Sequence, residues 1–380
     1  AKVQVTGGNS TSTVTASAGN LNIGATSTNS DITTTSAVPS AGSADAISID
    51  LQAVGNTANT LITSDGIETF NVALNNVASG STVAGAERVV TVASNALETV
   101  NITGSVAANL AASLAGASAF GQVGTVNASA ATGNLTINVT PGASTDGKTS
   151  VAMGSGDDEV TIGALDKDYT VTGGEGTDTL VATASAPGTT LAAANYVGVG
   201  VSGFEQASAA GGGSIDFRSL ANNTTFVSTD GAGTYAKAPS TIANSYIDAA
   251  SGTVTLTRAT DGAADALNFH ITDATAATVA ASLVDEETIT VASAGTGANL
   301  THNLTLTVTD ATKLNVIGSN GLNITSLVGE TKLATVDASG NTGQVFSVDA
   351  SGSTAAMTVT GSAGAQASLG AVVNTITTGS

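Results

Sequence analysis

The chain has 380 residues, among them 45 glycines and no cysteine or tryptophan, and its 29 acidic and 9 basic side chains give a net charge of −20. This composition excludes disulfide bonds, and the acidity argues against nucleic acid as a partner, because a nucleic-acid-binding surface is basic. Only 3% of the residues are aromatic, but 41% are apolar, which is more than a disordered chain carries. We therefore expect a thin core of small side chains, as in a solenoid whose coils stack on one another.

No run of about 18 strongly apolar residues is present, so the sequence predicts no membrane-spanning helix and no membrane insertion. The Ala-rich segment 106–120 comes nearest, but its Ser and Asn residues make it a poor span. We expect a short surface helix or a plain coil there. Neither end of the sequence has a charged region followed by an apolar core, so no classical signal peptide is predicted.

Residues 1 to about 40 alternate weakly between aliphatic residues and Ser, Thr, Asn or Gly. This pattern predicts short β-strands with turns roughly every eight to twelve residues. Near the other end of the chain, Val336, Val348 and Val359 recur at spacings of 12 and 11 residues, which predicts the length of one coil.

Four short stretches of the first 130 residues recur in the same order about 210–220 positions later, which indicates a tandem duplication. The matching pairs are 44–50 with 264–270, 67–72 with 286–291, 101–105 with 315–319, and 125–129 with 335–339. We therefore predict four parts: a first solenoid copy (1–150), a β-roll (151–182), connecting coils (183–261) and a second solenoid copy (262–380).

Two glycine- and aspartate-rich stretches form the predicted β-roll. Residues 173–180 read Gly-Gly-Glu-Gly-Thr-Asp-Thr-Leu and match the calcium-binding nonapeptide G-G-x-G-x-D-x-U-x. Residues 153–160 read Met-Gly-Ser-Gly-Asp-Asp-Glu-Val and depart from it only at Met153. The glycines permit a tight turn with positive φ that points carbonyl oxygens inward, and the Asp adds a carboxylate, which is a ligand that calcium prefers.

The spacing of the two copies predicts that their turns stack. Asp158 and Asp178 are 20 positions apart, close to the roughly 18 residues after which β-roll turns recur on one edge. We predict that the turns share an ion, with Asp157 beside Asp158 as a further candidate ligand. Asp166 and Asp168 fall between the turns, where the chain should round the opposite edge, and are also candidates. The alternative is a pair of Gly-Asp turns without a metal.

Other acidic residues have two interpretations each. Asp337 and Asp349 begin Asp-Ala-Ser-Gly corners, which are either ordinary turn chemistry or extra calcium ligands that stack on one another. A Glu at the start of a strand, as at Glu68, either pins a corner by accepting backbone N–H groups or binds metal. The acidic run 285–287 is expected to be a solvated surface.

The sequence offers little for catalysis. Its two histidines, His270 and His302, lie outside any H-E-x-x-H motif, no G-x-S-x-G elbow is present, and cysteine chemistry is impossible. Residues 142–149 match the phosphate-loop pattern by letter, but only four residues separate them from the next glycine turn, which leaves no room for the helix that this motif needs. We expect a protein that is not an enzyme.

The repeats at 153–180, the Ser-Gly-Phe-Glu step at 202–205 and the coils at 320–325 and 336–340 resemble the RTX-type surface-layer proteins of Gram-negative bacteria. The resemblance implies an all-β, right-handed parallel β-solenoid or β-roll with short strands and calcium-binding Gly/Asp turns. It implies type I export to the cell surface. The implied ligands of Ca²⁺ are the carboxylates of Asp158 and Asp178 and the carbonyls of Gly154, Gly156, Gly174 and Gly176.

The predicted function is that of a secreted, calcium-stabilised structural subunit of a surface lattice (S-layer) or filament. Its partners would be further copies of the chain, with a cell-surface polysaccharide as a second partner to consider. Two alternatives stay open: the calcium-binding RTX portion of a larger secreted enzyme, and the solenoid stalk of an adhesin. The export signal of the family is not evident at the end of the sequence, so we expect the chain to be a fragment.

Overall fold

The structure is a computed structural model that describes most of the chain. The described residues are 2–5, 12–16, 21–25, 30–36, 45–52, 59–63, 67–75, 88–94, 96–113, 124–139, 150–162, 170–183, 200–220, 224–297, 299–343, 345–361, 366–369 and 375–378. They divide into two compact units. The first comprises the described residues of 1–181, 191–204 and 219–221, and the second those of 182–190, 205–218 and 222–380.

The described residues form 34 short β-strands and a single-turn 3₁₀ helix, Phe217–Ser219. The first seventeen strands are β1 Lys2–Val5, β2 Ser12–Ala16, β3 Leu21–Ala25, β4 Ser30–Ser36, β5 Ala46–Gln52, β6 Asn59–Thr63, β7 Thr69–Asn75, β8 Arg88–Ala93, β9 Thr99–Gly104, β10 Ala108–Ser113, β11 Thr125–Ala131, β12 Leu135–Val139, β13 Ser150–Ala152, β14 Glu159–Ile162, β15 Thr170–Thr172, β16 Thr179–Thr183 and β17 Gly200–Ser202.

The remaining strands are β18 Gln206–Ala210, β19 Gly213–Asp216, β20 Phe226–Asp230, β21 Gly233–Ala238, β22 Asn244–Ile247, β23 Ser251–Arg258, β24 Ala266–Ile271, β25 Thr278–Leu283, β26 Thr288–Ser293, β27 Thr301–Thr307, β28 Lys313–Gly318, β29 Gly321–Val328, β30 Thr335–Asn341, β31 Phe346–Ala350, β32 Thr358–Gly361, β33 Gln366–Leu369 and β34 Thr375–Thr378. Within the described residues, no helix has the length and apolarity that crossing a membrane requires.

Within each sheet, every strand pairs in parallel with the strand two places further on in the chain, so that successive strands lie on different sheets. In the first unit, β1, β3, β5, β7 and β9 form consecutive pairs of one sheet, and β2, β4, β6, β8 and β10 form consecutive pairs of another. In the second unit, β18, β20, β22, β24 and β26 form one ladder, and β19, β21, β23, β25 and β27 form another. The chain in each unit therefore winds as a β-solenoid, and the predicted all-β parallel fold is confirmed.

The core consists of stacked aliphatic side chains, one from each coil. Val126 pairs with Val100 on one side and with Val151 on the other, and Val171 follows Val151. All four are buried, with at most 1% of each residue exposed. Because side chains alternate between the two faces of a strand, the polar residues between these positions face outward. The weak alternation in the sequence is therefore sufficient for a thin core.

Two local predictions are wrong. Val336 pairs with Val359, 23 positions later, whereas Val348 lies in β31 on the other sheet, so a spacing of 11 or 12 residues is half a coil. The segment at 108–113 is the strand β10, with Leu110 buried, and not a helix or a plain coil. It is a strand because β8 and β12 supply hydrogen-bonding partners on both sides, which outweighs the weak β-propensity of Ala.

Equivalent contacts recur in the stretches that the sequence aligns. Asp45 N–H donates to Glu68 Oε2 at 2.8 Å, and Asp265 N–H donates to Glu287 Oε2 at 2.7 Å. The pairing of β9 with β11 and that of β28 with β30 both break register after aligned residues, Asn127 and Asp337. These contacts support the duplication, whereas the boundaries at 150, 182 and 261 stay predictions.

Candidate functional site

The two glycine- and aspartate-rich turns stack, as the sequence predicts. The first turn connects β13 to β14, and the second connects β15 to β16. β13 and β15 pair with Val151 opposite Val171, so residues of the two turns that are 20 positions apart lie on neighbouring coils. Asp158 N–H donates to Asp178 Oδ1 at 2.8 Å. The two aspartates thus lie one above the other in a corner of the first unit, which we call the acidic corner (residues 153–158 and 173–178).

Hydrogen bonds in the acidic corner join backbone N–H groups to short polar side chains, most of them between neighbouring coils. Asp158 Oδ1 accepts the N–H of Leu135 at 2.7 Å, and its Oδ2 accepts the N–H of Gly154 at 3.3 Å. Beside this column, Asp157 N–H donates to Asn134 Oδ1 at 3.0 Å, and Asp157 Oδ1 accepts Thr177 N–H at 2.9 Å. Short polar side chains therefore hold three successive coils together at this edge.

The glycines are needed because the coils approach closely. A Cβ at Gly174 would lie 2.1 Å from the carbonyl oxygen of Gly154, and one at Gly176 would lie 2.3 Å from that of Gly156. Gly174 and Gly176 have φ values of 111° and 131°, as predicted for a tight turn. The same prediction is wrong for Gly154 and Gly156, whose φ lies outside the left-handed region. At Gly154 the backbone of Ala131 in the preceding coil leaves no room for a Cβ.

The carboxylates of this corner are buried. Asp158 is 2% exposed and Asp178 is 0% exposed. Burial raises the pKa of Asp158 to about 6, although the N–H groups of Leu135 and Gly154 act in the opposite direction, and the neighbouring Asp157 adds a smaller increase. Because burial disfavours the ionised form, a cation beside Asp158 would stabilise that form.

The corner fits calcium in part. Its buried carboxylates are the hard oxygen ligands that Ca²⁺ takes. The carbonyl of Gly154, a predicted ligand, accepts the N–H of Glu175 at 2.8 Å and so points along the stack to the next coil. Among the described residues, no three His, Cys, Asp or Glu side chains surround a point where a metal ion could lie. Asp166 and Asp168, together with the phosphate-loop match at 142–149, lie outside the described residues.

Asp337 and Asp349 do not stack on one another. Asp337 lies in β30 and Asp349 in β31, on different sheets. Asp337 Oδ1 accepts the N–H of Ser339 at 3.1 Å and its hydroxyl at 2.7 Å, and Asp349 Oδ1 accepts the N–H of Ser351 at 3.0 Å. These serine contacts lower the pKa of both carboxyl groups. The contacts match the turn-chemistry interpretation of these residues.

Glu68 pins a corner, which is one of the two roles that the sequence left open. It is 8% exposed, and its carboxylate accepts the N–H of Asp45 on the preceding coil. Both ring nitrogens of His302 are engaged by backbone groups. His302 accepts the N–H of Ala277 at Nδ1 (3.1 Å) and donates from Nε2 to the carbonyl of Ala294 (3.0 Å), so both ring nitrogens hold the backbone.

Sequence reasoning missed a buried ion pair in the second unit. Glu286 is 0% exposed and not part of a solvated surface. Arg258 Nε donates to Glu286 Oε1 at 2.6 Å and Arg258 Nη2 to Oε2 at 2.9 Å. Arg258 Nη1 also donates to the carbonyls of Pro239 and Ile242. The sequence did contain a signal for this pair. Arg258 follows Val254 and Leu256 at every second position, which places it on the buried face of β23, and the chain has few basic residues.

In comparisons with known proteins, no protein-family model and no curated protein matches the chain.

Proposed function

We propose that this chain is a non-enzymatic structural subunit that assembles with further copies of itself into a surface lattice or filament, with calcium as a stabilising ion. The observation that carries the proposal is an uncharged face in the second unit. It consists of the outward positions of β23, β25, β27 and β29, and we call it the uncharged face. Its residues are Ser251, Thr253, Thr255, Thr257, Thr278, Ala280, Ser282, Thr301, Asn303, Thr305, Thr307, Asn323, Thr325, Ser326 and Val328.

Side-chain hydrogen bonds tie the uncharged face together across coils. Asn323 Nδ2 donates to Asn303 Oδ1 at 3.0 Å, and Asn303 Nδ2 donates to Thr278 Oγ1 at 3.4 Å. The hydroxyls of Thr305 and Thr325 are 3.3 Å apart. Rows of this kind fix the side chains before a partner binds. Little side-chain conformational entropy is therefore lost when a partner surface packs on this face.

Charge is the reason why this face suits a second copy of the chain. Two copies that each carry a net charge of −20 repel one another, and the repulsion is weakest where neither surface is charged. The exposed Val328, 46% accessible, adds apolar surface at the end of β29. A neutral, hydrogen-bonding face with an apolar edge is therefore suited to self-association.

A structural role is favoured over a catalytic one because several buried titratable side chains form hydrogen bonds or ion pairs within the fold. Glu68 and Asp158 accept backbone N–H groups of neighbouring coils, and the imidazole of His302 bridges two backbone groups. Arg258 and Glu286 form an internal pair. Each of these groups holds coils together, which is what a mechanically stable subunit needs.

Calcium belongs to the proposal through the acidic corner. What supports it is the burial of Asp158 and Asp178, because an ion there would neutralise buried charge, and binding energy of this kind becomes folding energy. The carboxylates of Asp158 and Asp178, which lie one above the other on neighbouring coils, would hold the ion. Type I export, the extracellular cell-surface location and the RTX-type surface-layer family are supported by the sequence resemblance alone, whose most specific part is residues 153–180.

Electron microscopy of the purified chain tests the proposal. We expect ordered sheets or fibres in calcium from the natural chain and dispersed particles from the double variant Thr305→Glu with Asn323→Glu, because the two carboxylates restore repulsion at the uncharged face. The matched control is Ala266→Glu with Thr358→Glu, which adds the same charge at exposed positions on the other sheet of the second unit. Dispersed natural protein at every calcium and protein concentration would contradict assembly, as would ordered arrays from the face variant.

A further inference from the structure

The other sheet of the second unit carries a groove on its outer surface, with a volume of about 360 Å³. Six of its lining residues come from three successive coils: Gln206, Ser208, Ser228, Asp230, Tyr246 and Asp248. This volume lies in the range of small-molecule sites, which is about 300–1,000 Å³. The groove lies on the sheet of β18, β20, β22 and β24, and the uncharged face belongs to the ladder of β23, β25, β27 and β29.

One outward row of side chains runs through the groove. Ser208 pairs with Ser228, Ser228 with Tyr246, and Tyr246 with His270, so these four side chains lie at the same outward position of consecutive coils. The rings of Tyr246 and His270 are stacked, with centroids 4.3 Å apart and an angle of 12° between their planes. They form a half-buried aromatic plate, of which Tyr246 lines the groove and His270 packs on one face of the Tyr246 ring.

The plate is held in position by an amide. His270 Nε2 lies 3.2 Å from Asn244 Oδ1, and Asn268 Nδ2 donates to the same oxygen at 3.1 Å. Burial lowers the pKa of His270, so its ring is neutral at neutral pH. On the other side of the row, Gln206 Nε2 donates to Ser228 Oγ at 2.6 Å. The aromatic rings and the polar groups around them are thus pre-positioned.

The chemistry of the lining excludes several ligand classes. It contains two carboxylates, hydroxyls and an amide, and none of its residues is Lys or Arg, so phosphate, sulfate and uronic acids would meet negative charge. Tyr246 is the only large side chain with an apolar surface among the lining residues, which is too little for a lipid or an apolar small molecule. A sugar ring fits, because its C–H face packs on an aromatic ring and its hydroxyls donate to carboxylates.

We propose that this groove binds a neutral glycan chain, with the ring of Tyr246, backed by that of His270, as the stacking surface and Asp230 and Asp248 as acceptors for sugar hydroxyls. Because the row repeats from coil to coil, successive sugar units lie along the stacking direction. Binding of this kind goes beyond assembly and does not depend on it, since the groove lies on a different sheet from the uncharged face.

Native affinity electrophoresis of the dispersed chain tests the inference. The gels contain a neutral glucan, mannan or galactan, or polygalacturonate as the anionic comparison, each with excess EGTA. We expect at least one neutral polysaccharide to retard the protein and polygalacturonate to have no effect. Tyr246→Ala should weaken the retardation at least tenfold, whereas Tyr246→Phe, which keeps the ring, should retain most of it. The matched control is Thr305→Ala, on the other sheet of the same unit.

Three results would overturn the inference. The first is that none of the neutral polysaccharides retards the protein at the highest gel concentration. The second is that retardation is unchanged in Tyr246→Ala, since binding would then occur elsewhere. The third is retardation that appears only in a parallel set of gels with calcium in place of EGTA and is lost in Asp230→Asn but not in Tyr246→Ala, which would indicate a cation site. Far-UV circular dichroism establishes that each variant is folded, and none of these results bears on the electron-microscopy test of assembly.

Discussion

Two of the described corners that bury a carboxylate stabilise it by different means. In the second unit, Glu286 faces the guanidinium of Arg258, which donates two hydrogen bonds to it, at 2.6 and 2.9 Å. In the first unit, Asp158 accepts backbone N–H groups from Leu135 and Gly154. Burial raises the pKa of both groups, but only at Glu286 does a fixed positive charge oppose the increase.

These two corners show that a narrow solenoid can bury carboxylate groups by pairing them either with a cationic side chain or with backbone N–H groups. Arg258 is an internal cation that is covalently part of the fold, so the Glu286 corner is complete at any calcium concentration. The acidic corner has backbone dipoles in the same role, which balance a negative charge less fully than a guanidinium does. We therefore expect the acidic corner to respond to pH and to added cations, and the Glu286 corner to depend on Arg258.

The largest expected effect is the loss of that arginine. Arg258→Ala leaves Glu286 buried without its partner and removes the donors to Pro239 and Ile242, which should cost about 3–5 kcal/mol of unfolding free energy. The matched control is Arg218→Ala, whose pair with Asp216 is exposed and should contribute no more than about 1 kcal/mol. Urea denaturation measures both changes. Equal costs for the two variants would contradict the internal role of Arg258.

The pH dependence of the acidic corner comes next. Because the pKa of Asp158 is raised from 3.8 to about 6 in the folded chain, its favourable contribution is complete below about pH 4 and is lost as the pH rises through 6. The loss amounts to roughly 2–3 kcal/mol, measured in EGTA as the difference in urea stability between the natural chain and Asp158→Asn. This stability difference between the two chains should change between pH 4 and pH 7. A stability difference that is the same at both pH values would contradict the raised pKa.

Calcium should reverse part of this loss. At neutral pH, calcium at 100 times its dissociation constant should stabilise the chain by about 2.7 kcal/mol if a single site binds only the folded state. Asp158→Asn with Asp178→Asn should abolish the effect, whereas Asp349→Asn, at an exposed turn, should retain it. Thermal unfolding with and without EGTA measures the shift. Unchanged circular dichroism, melting temperature and particle morphology in excess EGTA would contradict the calcium part of the proposed function.

The last prediction concerns a difference between two glycine variants, which reports the close approach of coils at the acidic corner. Gly174→Ala adds a Cβ that would lie 2.1 Å from a carbonyl oxygen, at a φ of 111° that L-residues avoid. Gly231→Ala is the matched control, since its φ is 109° but no atom lies within 4 Å of the added Cβ. Both variants should lose about 1–3 kcal/mol from backbone strain. A further loss in Gly174→Ala measures the contact between coils, and equal losses would indicate that the coils separate freely.

Aligned stretches of the sequence predicted some contacts correctly because turn chemistry is local. The Asp-Ala-Ser-Gly corner at Asp337 forms the expected turn, and its counterpart Asn127 accepts the N–H and the hydroxyl of Ser129 in the same way. A hydrogen bond between a short side chain and the N–H two residues later depends only on the local sequence, so it can be predicted without knowing the rest of the fold. The same holds for the stacking of Asp158 and Asp178, which follows from repeat spacing once a solenoid is assumed.

By itself, the sequence determined the class of fold: small aliphatic residues at alternating positions, with glycine and aspartate between them, suit short strands around a thin core. Only the tertiary structure decided which coils are neighbours, and so it decided that two strands make one coil, that 108–113 is a strand, that Glu286 is buried on Arg258, and that Tyr246 stacks on His270. These contacts join residues about 20–30 positions apart, and no local pattern specifies which residues meet at that separation, because it depends on the length of each intervening loop.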